Sequence, residues 1–294
     1  MNTPGEQAPI ELDALVVTVV VDNETDNLSS IDAGIPRLPE VVSLLGRIAP
    51  TRHHRGHDCT PVFHELCVAC HGLSVLLDGR RGDERHSVLF DVGPYGDVWL
   101  DNARRLDLDL SSIGTVVLSH WHWDHSGALP AVVTAIAAAR QTAGLSDPVV
   151  ADLHPDRPHQ RGVRMPWGDV VMLPEEPTFE QIRDAGGTVD LHRDAHLVGG
   201  GFFQVSGDIP RVTPYETGLG GHVTFTSPDS DGDDDPDSRD ERFLAAHVRG
   251  RGVSVFSACS HAGIEAMAAL ATAFAPRRLA PSTVGASYHL QAVR

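Results

Sequence analysis

Residues 113–127, Ile-Gly-Thr-Val-Val-Leu-Ser-His-Trp-His-Trp-Asp-His-Ser-Gly, constrain this chain more than any other stretch. Ile113 to Leu118 is apolar and rich in β-branched residues, so it reads as a buried strand. The strand runs straight into His120, His122, Asp124 and His125. Imidazole and carboxylate groups are costly to bury unless they are paired or coordinated. As a set they suit zinc, manganese or iron better than calcium. His120 and His122, two residues apart on a turning segment, can reach one ion, while Asp124 and His125 can turn toward a second.

Charge narrows the partners. With 23 Lys+Arg against 40 Asp+Glu, the formal net charge of −17 disfavours nucleic acid and an anionic membrane surface. A small-molecule substrate is the expectation that remains. Part of the acidity is local, in a run at 229–241 that reads as a solvated acidic loop. Four cysteines (Cys59, Cys67, Cys70 and Cys259) in 294 residues do not make a disulfide scaffold. The N-terminus lacks the basic and apolar regions of a signal peptide, and Leu15 to Val21 is too short to span a bilayer. The expectation is a soluble, cytoplasmic protein with a flexible tail at 1–14 and a single domain at 15–294.

Around the central strand the pattern alternates strands and helices. Leu15 to Val21 reads as a first core strand. Residues 24–64 carry little periodicity beyond one short helix in Pro39 to Ile48. With His53, His54, His57 and His64 they read as a lid loop. Val75 to Asp78 and Ser87 to Phe90 read as a hairpin. Helices are expected at Asp97–Leu106, Leu129–Ala143, Phe179–Ala185 and Ile264–Phe274, and strands at Pro148–Ala151, Phe202–Val205 and from Gly252. Residues 165–200 read as αβ connections. Cys67-Val-Ala-Cys70 has no second pair to complete a zinc site, so it reads as packing at a strand entry.

His120-Trp-His-Trp-Asp-His125 matches His-x-His-x-Asp-His, flanked by an apolar strand and by Ser-Gly-Ala-Leu-Pro. On these residues the chain resembles the metallo-β-lactamase superfamily. More narrowly it is similar to the branch that includes dihydropterin-ribofuranosyl-aminobenzene-phosphate synthase. The resemblance implies an α/β fold, a four-layer αβ/βα sandwich, with two divalent metal ions, zinc or else manganese or iron. It also implies a function: a metal-dependent hydrolase whose binuclear centre activates water against an ester, phosphoester or related bond. A pterin-linked synthase and a non-catalytic ligand-binding member are the alternatives.

The resemblance also extends the site. His261, in Ala-Cys-Ser-His, matches a Gly-Cys-Ser-His element and becomes the third ligand of the first ion, beside His120 and His122. His289, in Tyr-His-Leu, matches a Gly-Gly-φ-His-Leu strand end and joins Asp124 and His125 on the second. Asp124 is the expected catalytic residue, orienting the nucleophile. Asp91, in Asp-Val-Gly, either orients a ligand histidine or caps its turn. Asp22 and Asn23 either line the mouth of the site or end their strand. Cys259 either faces the metals as a soft thiolate or fills space as a small apolar side chain. His154, in a matching His-Pro, either contacts substrate or packs. Arg211, in Gly-Asp-Ile-Pro-Arg, either anchors a phosphate or carboxylate or forms a surface ion pair.

Overall fold

In a computed structural model of the protein, the described residues are 8–25, 52–60, 65–274 and 283–286. The expected helix in Pro39 to Ile48, His64 and His289 lie outside them.

The first sheet has six strands in the order β11-β8-β7-β6-β5-β2. These are β2 (Ala14–Val21), β5 (Ser74–Arg81), β6 (Glu84–Phe90), β7 (Ile113–Val117), β8 (Val150–Leu153) and β11 (Thr188–Leu191). The hairpin β5/β6 is longer than its apolar pattern suggested, since pairing runs out to Arg81 opposite Glu84. β6, β7, β8 and β11 are parallel neighbours. Parallel strands need crossover connections, and these carry the helices. The crossovers hold α1 (Gly96–Arg105), α2 (Trp123–Ser126), α3 (Leu129–Thr142) and α4 (Phe179–Asp184).

The second sheet follows β12-β13-β16-β17-β18, with β1 beside β16. Its strands are β1 (Glu11–Leu12), β12 (His196–Val198), β13 (Phe203–Val205), β16 (Leu244–Val248), β17 (Gly252–Ser257) and β18 (Thr283–Ala286). Leu12 is fully buried and pairs in parallel with Val248. The tail expected at 1–14 therefore takes on structure at its end, because one apolar side chain there finds a site between the sheets.

Successive side chains on a strand point to opposite faces. Leu77, Val88, Phe90 and Val117 from the first sheet meet Phe203, Val205, Leu244 and Ala246 from the second. On the other face of the first sheet, Leu76, Leu89 and Val116 meet Trp99, Val132, Val133 and Ile136 of α1 and α3. Ala245, Val253 and Val255 meet Met267 and Ala271 of α5 (Ile264–Phe274). The layers are helices, sheet, sheet, helix. Strands apolar on both faces are what a two-sided burial requires.

Two differences from expectation matter for the site. Residues 165–200 are not only αβ connections. A separate four-stranded sheet, β10-β9-β14-β15, is built from β9 (Gln160–Arg164), β10 (Val170–Glu175), β14 (His222–Phe225) and β15 (Asp233–Asp234). Its polar composition hid it, and it carries Arg161 and His222 inward, both buried. The acidic run at 229–241 is solvated only in its first part. Asp240 and Glu241 are buried, because each carboxylate finds donors inside the protein. Of the proposed lid, residues 52–54 and 57–59 form an exposed hairpin, β3 (Arg52–His54) and β4 (His57–Cys59), and most of the remainder lies outside the described residues.

Candidate metal centre

β6 and β7 end side by side, and their ends deliver the first part of the site. Asp91 follows β6 with φ +58, the left-handed region that Asp tolerates better than most residues. That turn aims its buried carboxylate at the neighbouring loop. Oδ1 accepts Ser119 N at 2.7 Å, and Oδ2 accepts Ser119 Oγ at 2.7 Å and His125 Nδ1 at 2.8 Å. Ser119 Oγ in turn lies 2.9 Å from His120 Nδ1. Asp91 thus orients two imidazoles, one directly and one through a serine. Metal-binding histidines usually need such a partner on the nitrogen away from the metal.

The inward-facing nitrogens converge. His120 Nε2 is 2.8 Å from His122 Nδ1, and His261 Nε2 is 3.2 Å from the same atom. Burial pushes the pKa of His120 and His122 well down, and neighbouring imidazoles and Arg161 add to it. His261 is pushed down to about 4, again mainly by burial. Three neutral imidazoles therefore present lone pairs to one point. Beside them, Asp124 Oδ2 and Cys259 Sγ each lie 3.2 Å from His125 Nε2. Donors about 2.0–2.3 Å from one ion stand roughly 3–4 Å apart in a tetrahedron. Both groups are near that spacing, and Cys259 also lies within reach of the first. Burial lowers the pKa of His125, but Asp124, Cys259 and Asp91 outweigh it and raise the pKa well above the ordinary value. The carboxylates of Asp124 and Asp91 favour a positive charge at this point. The residues fit a metal centre on the chemistry of the donor set, with His120, His122 and His261 as one group and Asp124, His125 and Cys259 as the other.

His122 has a partner that periodicity did not reveal. Its Nε2 is 2.9 Å from His222 Nε2, and His222 Nδ1 is 2.6 Å from the Asp235 carbonyl. A carbonyl only accepts, so His222 carries its proton on Nδ1 and accepts from His122 Nε2–H. That leaves His122 Nδ1 with its lone pair facing His120 and His261. In the sequence, His222 stands in a Gly-Gly-His segment with no other chemistry-bearing residue beside it.

The other singled-out residues have definite places. Asn23 Oδ1 accepts Gly72 N at 3.0 Å, and the Asp22 carbonyl accepts Cys70 N at 3.1 Å. The end of β2 thereby holds the segment carrying His71, whose Nε2 is 3.4 Å from Asp124 Oδ2 and whose side chain is 62% exposed. Gly72, at φ +133, packs so closely that a Cβ would run into the Asp124 carbonyl. His154 is buried against Asp208 Oδ1 at 2.9 Å and accepts Asp156 N through Nδ1. Arg211 donates to the carbonyls of His261, Glu216 and Asp237, which ties it to the second ligand loop. A third grouping, Asp152, His192 and His196, lies elsewhere, with Asp152 occupied by Arg242 Nη1 at 2.7 Å.

The profile of the metallo-beta-lactamase superfamily matches residues 68–231, more than half of the chain. The chain belongs to the metallo-beta-lactamase superfamily. Over 59 residues it is 37% identical to the 7,8-dihydropterin-6-methyl-4-(beta-D-ribofuranosyl)-aminobenzene-5'-phosphate synthase of Methanocaldococcus jannaschii, a stretch covering 20% of each chain. The crystal structure of Tm1679, described as a metal-dependent hydrolase of the beta-lactamase superfamily, superposes with a TM-score of 0.52 at 20% identity. That alignment covers 85% of this chain and 68% of the other. At that identity the likeness bears on the fold alone. The YhfI protein of Bacillus subtilis aligns over 63% of this chain and 55% of its own, at 13% identity and a TM-score of 0.35. The superfamily fold is the αββα arrangement of the two central sheets, and the four-stranded sheet β10-β9-β14-β15 stands beside it in this member. No helix among the described residues is long and apolar enough to cross a membrane.

Proposed function

We propose that this superfamily member is a hydrolase with a binuclear metal centre, acting on an ester, phosphoester or related bond of a small molecule in the cytoplasm. The observation that supports it most is the pair of converging donor sets, three imidazole nitrogens in one and a carboxylate, an imidazole and a thiol in the other. Divalent ions held there would lower the pKa of a bound water and stabilise charge developing on the substrate. A thiolate among the donors favours zinc. His289 is the expected further ligand of the second ion.

The chain's own groups divide the work. Asp91 and His222 hold the ligand rings in the tautomers that binding needs. Asp124, whose side chain keeps 19% exposure, faces the opening beside His71. Its pKa of about 2 keeps it ionised, since the pull of His125 and His71 outweighs burial. It is therefore able to orient a water by accepting a hydrogen bond from the water's O–H.

The test is elemental analysis of protein purified without chelators, beside His120→Ala, followed by panels of esters and phosphoesters. About two zinc ions per chain, lost together with hydrolysis in the variant, is the expected result. Folded protein that takes up no metal would sink the reading. The segment similar to the dihydropterin synthase favours a second reading, a pterin-linked synthase. It predicts turnover with pterin and phosphoribosyl-type substrates and none on the panels. Metal without any turnover would identify a ligand-binding member instead.

A further inference from the structure

Three consecutive residues, Asp240, Glu241 and Arg242, are buried just before β16 begins at Leu244. They point in different directions and grip different parts of the centre. Asp240 Oδ2 accepts Trp121 N at 2.7 Å. Trp121 stands between His120 and His122, so this bond holds the backbone at the midpoint of the first donor pair. Arg161 reinforces the grip, donating to the Trp121 carbonyl at 2.6 Å and to Asp240 Oδ1 at 2.6 Å. Glu241 turns the other way. Its Oε1 accepts His261 N at 2.9 Å, and its Oε2 accepts Ala262 N at 2.5 Å. Arg242 joins the tripeptide to the first sheet, its N–H donating to the Ser119 carbonyl at 2.8 Å and its Nη2 to the Leu118 carbonyl at 2.7 Å.

The two donor loops come from different sheets. His120 and His122 follow β7 of the first, and His261 follows β17 of the second. Nothing in either sheet alone sets how far apart the loops stand. We propose that Asp240 and Glu241 are positioning residues of the metal centre, adjacent carboxylates that grip one donor loop each and so set the separation of His261 from His120 and His122. This rests on the metal-centre reading above.

The chemistry favours that role over simple packing. Burying carboxylates is costly, and among the described residues Glu241 has backbone N–H groups as its hydrogen-bond partners and no ion pair. An apolar side chain would fill the space at lower cost, but it would leave the His261 and Ala262 N–H groups without their acceptor. Mounting both carboxylates on one residue pair at the head of a sheet strand makes the spacing rigid. Donors of a metal site tolerate only about half an ångström of misplacement.

The test uses Glu241→Gln and Asp240→Asn, which keep shape and change one atom. In each, both oxygens of the native side chain face donors, so the amide NH2 of the variant must oppose an N–H whichever way it flips. Ile136→Ala, a cavity in the cluster that α3 packs on the first sheet, serves as a stability control. Metal-stripped proteins are titrated with zinc against a chromophoric chelator, and with cobalt to read the visible spectrum. In the wild type two equivalents bind. In both amide variants we expect the equivalent held by His120, His122 and His261 to weaken about 10–100-fold, with an altered cobalt spectrum. The equivalent held through Asp124, His125 and Cys259 also takes its donors from both loops and weakens with it, by more than any loss of thermal stability accounts for. Ile136→Ala loses thermal stability and keeps both affinities. Amide variants that bind both equivalents as the wild type does, or that weaken both in step with lost thermal stability, would overturn the proposal. Wild-type protein that binds no metal would instead refute the metal-centre reading.

Discussion

Asp91 carries more of the site than its single place in the sequence suggests. It accepts Ser119 N, Ser119 Oγ and His125 Nδ1 from a left-handed backbone. In Asp91→Asn the amide must face a donor in either orientation. Zinc affinity should fall about 10–100-fold by calorimetric titration, with both ions affected because both His120 and His125 lose orientation. Glu176 supplies a pH signature. Burial raises its pKa from 4.5 to about 7, and the hydrogen bond from Ser126 opposes this only in part. Its Oε1 has no partner among the described residues. A raised folded pKa means the folded state holds the proton more tightly than the unfolded chain does. That stability is fully present below pH 4.5 and is lost as pH rises through about 7. The loss amounts to roughly 3 kcal/mol over that window. Glu176→Gln should remove this component, so chemical denaturation at stepped pH should show the variant gaining on the wild type from pH 5 to 7.

At the scale of elements, the strand ends and turns decide where the donors point. Gly72 opens the entry to β5, where its Cα lies against the backbone of α2 at Asp124. Gly72→Ala should cost roughly 3 kcal/mol in thermal or urea unfolding, from a disfavoured φ together with a clash on backbone that cannot yield. Cobalt spectra of the variant should also change, because the backbone it displaces carries Asp124 and His125. Elements with a clear period were legible beforehand. Helix α5 spans the predicted Ile264–Phe274, and α1, α3 and α4 start or end within one residue of expectation. The strands β9, β10, β14 and β15 were not, because Arg161, Arg164, Glu175 and Asp233 break the apolar alternation by which a strand is read. Their side chains are set by what they meet in space, as Arg161 meets Asp240.

Over the whole molecule, stability resides between the sheets. Phe90, fully buried among Phe203, Leu244 and their neighbours, lies one residue before Asp91. Phe90→Ala should cost about 4 kcal/mol by urea denaturation and weaken metal binding less than Asp91→Asn does. The sequence by itself determined the superfamily, the strand-to-motif junction at 113–127 and the grouping of His120, His122, Asp124 and His125, because these lie within one turn of chain and their chemistry is local. Through the resemblance those residues carry, it also implied the layered α/β class. Only the tertiary structure decided that Cys259 stands 3.2 Å from His125 Nε2, that His222 backs His122, and that Asp240 and Glu241 are buried grips and not solvated charges. Their partners lie 20 to 134 residues away along the chain, and whether a carboxylate or imidazole is buried depends on the donors that folding brings to it.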